Sequence, residues 1–198
     1  MKNDRSSSWM TTAILTAGLL LLCSMWGMAV KYETIEAIAM GQSTQLGQRF
    51  NVTIIIYEFS TDDDQKALAD AFQAAGPQGM FNAVTKMKAK GHMAITGTLG
   101  YDINYIKEFK MPDGSRKIRL VTDRPLRFRE VWQDSRSTDY NLSAAEIILT
   151  GEKKTSSGTL MPAMQLKLNK QTNQVEVEAY DNPWKLLDIV DSQPKEKD

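Results

Sequence analysis

Between residues 107 and 136 of this 198-residue chain nine lysines and arginines gather, with Lys117 and Arg119, and again Arg127 and Arg129, spaced two apart, and chemistry is to be sought there first. Lys117, Arg119, Arg127 and Arg129 would share one face of neighbouring strands, because side chains alternate along an extended chain. Such a stripe can grip phosphate, carboxylate or an anionic polymer, with Arg suited to bidentate contacts. The plainer outcome, and the expected one, is neutralisation across the strands by Glu108, Asp123, Glu176 and Glu178. Glu130 offers a different chemistry. It falls on the face of Leu126, Phe128 and Trp132, where an unpaired carboxylate is costly. Either a bulge after Pro125 turns it outward or an arginine such as Arg124 or Arg136 meets it. A carboxylic acid held in a cavity can act as a general acid, with Asp123 or Asp134 as the second carboxylate.

Other chemistries find no residues to carry them. His92 is the only histidine and Cys23 the only cysteine. A zinc site of the usual N/S kind therefore cannot be assembled. A serine triad has this one histidine to draw on and no G-x-S-x-G, so His92 reads as structural or superficial. Asp62-Asp63-Asp64 resembles a calcium cluster but lacks the glycine and glutamate of an EF-hand loop, and a helix N-terminus accounts for it. Asn51-Val52-Thr53 and Asn141-Leu142-Ser143 are sequons that matter only in a eukaryotic secretory pathway. No cofactor is implied. The formal net charge is zero, which points away from nucleic acid.

Residues 1–30 begin with Lys2 and Arg5 and continue as an uncharged apolar run up to Lys31. That order describes an export signal, with an uncleaved membrane anchor over residues 9–30 as the alternative. Either places the rest of the chain in the periplasm or outside the cell. Cleavage would also remove Cys23, leaving a body without thiols.

The elements follow from period and punctuation. Residues 31–48 read as a linker, 49–192 as one domain and 193–198 as a charged tail. Arg49–Ser60 is a strand by its β-branched and aromatic content. Thr61–Asp64 opens a helix with the stripe Ala67, Leu68, Ala71, Phe72 and Ala75, which Gly76-Pro77 stops. A second short helix carries Met80, Phe81, Val84 and Met87. Strands follow at about 92–98, 101–111, 116–123, 126–132, 144–150, 159–168, 174–180 and 184–190. The hairpin around Pro112-Asp113-Gly114-Ser115 is expected to have a four-residue loop. Its register then sets Phe109 opposite Ile118, Tyr105 opposite Thr122 and Glu108 opposite Arg119. The fold class is α+β, mainly β: a strongly curved, barrel-like antiparallel sheet of about eight strands. Two short helices follow the first strand and cover the mouth.

The segments T-D-R-P-L-R-F-R-E-V-W-Q-D-S-R-S-T-D-Y-N-L-S-A-A-E-I (122–147), N-P-W-K-L-L-D-I-V-D (182–191) and G-T-L-G-Y-D (97–102) resemble a group of exported proteins of acidobacterial-type soil bacteria. The resemblance covers most of the chain from about Met40. The group has no assigned activity, so the resemblance implies export and a shared fold and transfers no catalytic residue. The first expectation is an exported, non-enzymatic binding or envelope-associated domain, its partner an anionic or apolar small molecule or an envelope protein. The second is a carrier whose curled sheet, lined by Tyr101, Tyr105, Phe109, Phe128 and Trp132, holds a small apolar ligand. The third is a carboxylate hydrolase built on Glu130.

Overall fold

A computed structural model of the chain describes residues 32–126, 141–150, 155–169, 174–179 and 182–193. Its strands are β1 (Glu33–Met40), β2 (Arg49–Ile56), β3 (Gly91–Ile95), β4 (Tyr101–Lys110), β5 (Arg116–Thr122), β6 (Leu142–Leu149), β7 (Ser157–Asn169), β8 (Gln174–Ala179) and β9 (Trp184–Ser192). One helix, α1 (Asp62–Lys86), joins β2 to β3. The strands lie side by side in the order β6-β5-β4-β3-β2-β1-β9-β7, and β7 pairs again with β6. Eight antiparallel strands thus close into a barrel, while among the described residues β8 pairs with β7 alone and stands outside the ring. Closure gives the ring strands partners on both sides, the usual answer to an exposed sheet edge.

Alternation fills the inside. Ile35, Ala37 and Ala39 of β1 are buried, as are Val52, Ile54 and Ile56 of β2, Ile118 and Leu120 of β5, and Ile147 of β6. Trp184 joins the same cluster and stacks at a tilt on Phe50, ring centroids 5.3 Å apart. An eight-stranded barrel is just wide enough for side chains to fill. Here they do.

Four expectations need correction. β1 lies inside the stretch read as a linker; its E-T-I-E-A-I-A-M alternates, but with small alanines in place of the bulky residues that signal a strand. The helical part is one element rather than two, and it follows the second strand. Thr61 and Asp64 form a reciprocal capping box at its start. Gly76-Pro77, read as a stop, is a kink: Ala75 and Gly76 leave helical geometry and the helix resumes to Lys86. Nor does α1 cover the mouth. Leu68 and Val84, with Met80, Phe81 and Met87, pack on Tyr105, Val121, Leu142, Ala144 and Met164, making a second core on the barrel's outer wall.

The fourth correction is the β4–β5 register. Met111 N–H donates to Ser115 O and Gly114 N–H to Met111 O, so the loop is Pro112–Gly114, three residues long, with Gly114 at φ 82°. A turn followed by a left-handed glycine is a common three-residue hairpin. Asp113 stabilises it by accepting from the backbone N–H and the hydroxyl of Ser115. One residue fewer in the loop shifts the pairing by one, setting Glu108 opposite Ile118 and Tyr105 opposite Val121. A bulge at Asn104 restores the inward face for Ile103, and its amide donates to Met87 O at the end of α1, 2.9 Å away.

Candidate functional site

Two ladders of the barrel wall are only three pairs long, β3–β4 and β7–β9. β9 pairs with β1 from Met40↔Lys185 to Thr34↔Ser192, but with β7 only through Gly158↔Leu186, Thr159↔Lys185 and Leu160↔Trp184. From Leu187 to Ser192, β9 has no strand partner on that side among the described residues. Asp188 forms a bulge there, with φ 51°, opposite the gap in the β1 register between Glu36 and Ile38. Beside this short seam lies a groove of about 350 Å³, lined by Glu146, Ile148, Ser157, Thr159, Lys185 and Leu187 around a floor of Gly158 and Leu186.

Gly158 is needed for the seam to close. A Cβ at that position would lie 3.0 Å from the Glu146 carbonyl oxygen and 3.1 Å from Leu186 Cβ. Three strands therefore meet around a residue without a side chain, whose missing Cβ faces the barrel interior against Leu186.

The groove's charges differ in how far they are already engaged. Glu146 accepts from Arg119 Nε at 2.6 Å and pairs with Lys117 Nζ at 3.6 Å. The Arg119 hydrogen bond holds the Glu146 carboxyl below the usual range, against a smaller effect of burial. Arg119 also lies over the Phe109 ring, 5.5 Å from its centroid. Lys185, exposed at the groove's edge, meets no carboxylate among the described residues. Lys117, Arg119 and Lys185 against Glu146 leave the neighbourhood with an excess of positive charge. With Ile148 and Leu187 beside them, these groups can hold a small molecule that is apolar at one end and anionic at the other.

A second ionic cluster sits inside the barrel at one end. Arg116 Nη2 donates to both Glu33 oxygens at 3.0 and 3.1 Å, Nη1 to Asp191 at 3.0 Å, and Nε to Glu108. Three carboxylates share one guanidinium, so the cluster carries surplus negative charge when all are ionised. Burial raises the acid pKa of both Glu33 and Asp191, with Arg116 pulling the other way. Their protonated forms are favoured relative to open solution. At the opposite end Leu126, fully buried, donates its N–H to Pro162 O, and the hydroxyls of Thr122 and Ser143 converge on Arg124 O.

The residues singled out from sequence are mostly dispersed. Lys117 and Arg119 do share the outer face, and both pair with Glu146, which was not among the acids expected; the side chains of Glu176 and Glu178 lie outside what the structure describes. Glu108 turns inward to Arg116, and Asp123 pairs with its neighbour Arg124 at 3.6 Å. Tyr105 lies under α1, where burial raises its phenol pKa. Phe109 faces out beneath Arg119, and Tyr101 packs at the rim of the core. The barrel therefore does not gather Tyr101, Tyr105 and Phe109 around one pocket. Arg127, Phe128, Arg129, Glu130 and Trp132 lie outside the described residues. His92 Nδ1 is 3.2 Å from Asp102 Oδ1 on the surface, and Asp62 and Asp64 pair with Lys107 and Lys90.

Sequence reasoning missed Arg116, although it shares the parity of Ile118 and Leu120. It missed Glu146 too, the one charge in the apolar run Leu142–Leu149. Among the described residues no group of His, Cys, Asp and Glu could hold a metal ion. No helix among them is long and apolar enough to cross a membrane. The described residues form an eight-stranded antiparallel β-barrel domain. No protein-family model matches the chain, and no curated protein or solved structure is significantly similar to it.

Proposed function

We propose that this chain is a non-catalytic carrier that holds a small, apolar molecule bearing an anionic group in the groove beside the β7–β9 seam. The observation that carries the reading is the groove itself, which opens beside the three-pair β7–β9 ladder and sets a lysine that meets no carboxylate among the described residues next to apolar walls. Its size is at the lower end of ligand pockets, and its mixture of apolar walls with a few polar groups is typical of them. Lys185 supplies the cation, Ser157 and Thr159 the hydroxyls, and Leu187 and Ile148 the apolar contact. The basic and then apolar order of residues 1–30 supports a place of action outside the cytoplasm.

Calorimetric titration with decanoate and with decyl sulfate, below their micelle concentrations, tests the reading. Saturable one-to-one binding is expected, weakened about tenfold or more by Leu187→Glu and by Lys185→Glu, since losing one charge-assisted contact is worth about 1.5–3 kcal/mol. Binding that neither substitution alters would contradict it.

A further inference from the structure

We propose that the rim carrying the β1–β2 and β3–β4 loops docks on an anionic lipid surface. Four large apolar side chains are exposed among the described residues: Tyr32, Leu46, Tyr57 and Leu99. The two tyrosines account for each other, their rings meeting edge to face with centroids 4.9 Å apart. The two leucines have no such partner. Leu46 is 77% exposed and Leu99 fully so.

Both stand on hairpin tips at the same end of the barrel. Leu46 lies in the loop that delivers the chain to Arg49 at the start of β2, and Leu99 in the loop that leaves β3 after Ile95. β2 and β3 are adjacent, pairing Val52 with Ile95, and Thr96 N–H reaches Asn51 O at 3.2 Å. The tips therefore project from neighbouring strands, less than two strand spacings apart at their base. A single exposed leucine is ordinary on a protein surface. Two at adjacent tips, on loops that bring little else apolar, form a pair of points suited to entering the boundary between headgroups and acyl chains.

The surroundings supply the complementary charge. Arg49 is exposed at the root of the first loop. Arg124 is exposed at the same end, 5.7 Å from the Tyr101 ring that begins β4. Lys185 lies in the row Arg49–Met40–Lys185, which crosses β2, β1 and β9 on the outer face. Asp123 lies beside Arg124 and Asp102 beside His92, while Arg49 and Lys185 meet no carboxylate among the described residues. Cations at a rim with apolar tips fit a negatively charged leaflet, where each near-surface Lys or Arg contributes about 1 kcal/mol. A second copy of the chain would bring the same cations against these, which repels, so the lipid is the occupant the charges favour.

The test uses the full chain with Cys23→Ser and one introduced cysteine carrying an environment-sensitive fluorophore, at Leu99→Cys, at Leu46→Cys, or at Lys110→Cys on the opposite end. Vesicles with a third of phosphatidylglycerol are compared with purely zwitterionic ones. The expected result is a blue shift and intensity gain at 46 and 99 on the anionic vesicles, little change at 110, and roughly tenfold weaker partitioning when Arg49→Glu and Arg124→Glu are combined. Because the label reports its own surroundings, attachment through residues 9–30 alone would leave 46 and 99 unchanged and overturn the proposal. So would an equal response at 110, a response to neutral lipid as strong as to anionic, or a concentration-dependent change without vesicles, which would mark self-association.

Discussion

Arg116 and Arg119 stand three residues apart on β5 and meet opposite surroundings. Arg116 has the parity of Ile118 and Leu120, points into the barrel, and is shared by Glu33, Glu108 and Asp191. Arg119 points outward, is 56% exposed, and shares Glu146 with Lys117 beside the seam groove. Inside, acid is in excess over base; outside, base is in excess over acid. One residue type is therefore a structural plug on one face of a strand and a solvated surface charge on the other. Parity decides which.

The contrast predicts unequal consequences. Arg116→Met keeps much of the volume but leaves three carboxylates near one another without a partner. Breaking a buried ion pair in this way destabilises by about 3–5 kcal/mol, visible as a lower urea midpoint. A loss below about 1 kcal/mol would mean that the plug behaves like a surface pair and that the contrast fails. Gly158→Ala comes next. Its methyl would crowd Leu186 and the Glu146 carbonyl, and overpacking of this kind costs about 1–3 kcal/mol. The methyl faces the core and leaves the groove open, so decyl sulfate affinity should fall only to the extent that the seam is displaced.

The two clusters should also respond to pH with opposite signs. Glu33 and Asp191 have raised pKa values, so the folded protein favours their protonated forms. Their favourable contribution is present at acidic pH and is lost as pH rises through the raised values. Glu146 has a lowered pKa, so its contribution is present at neutral pH and is lost as pH falls through the lowered value. Glu33→Gln, which keeps an acceptor for Arg116 while removing one surplus charge, should raise stability near neutral pH by about 1 kcal/mol and by less in acid. Destabilisation at neutral pH would show that the plug needs all three charges. The smallest effect belongs to Arg119→Ala, with an expected loss of about 0–1 kcal/mol that shrinks further at high salt.

The barrel was largely legible in the alternation of its strands, because a half-buried strand shows its period directly. Three features were not, each for a physical reason. β1 buries alanines, whose apolar signal is weak. The β4–β5 register was misjudged because both faces of β4 are partly apolar. Tyr105 is covered by α1 from outside, while the inward face ends in Glu108, so the oilier face is not the inner one throughout. The kink at Gly76-Pro77 combines two residues that normally end a helix, and only the packing of Leu68 and Val84 on one wall shows that the element continues. The groove was less legible still. It depends on where β7 and β9 meet and for how long, which is a property of barrel closure and not of any one stretch of sequence. Lys117 and Arg119 lie on the face expected, yet the acid that engages them comes from a strand whose other residues are apolar save Ser143.

The most direct test of the account is amide shift mapping by NMR during titration with decyl sulfate. Perturbations centred on Ser157–Thr159 and Lys185–Leu187, saturating together and reduced by Lys185→Glu, are the predicted result. Shifts that avoid this seam, or that grow without saturation across the whole barrel, would contradict it.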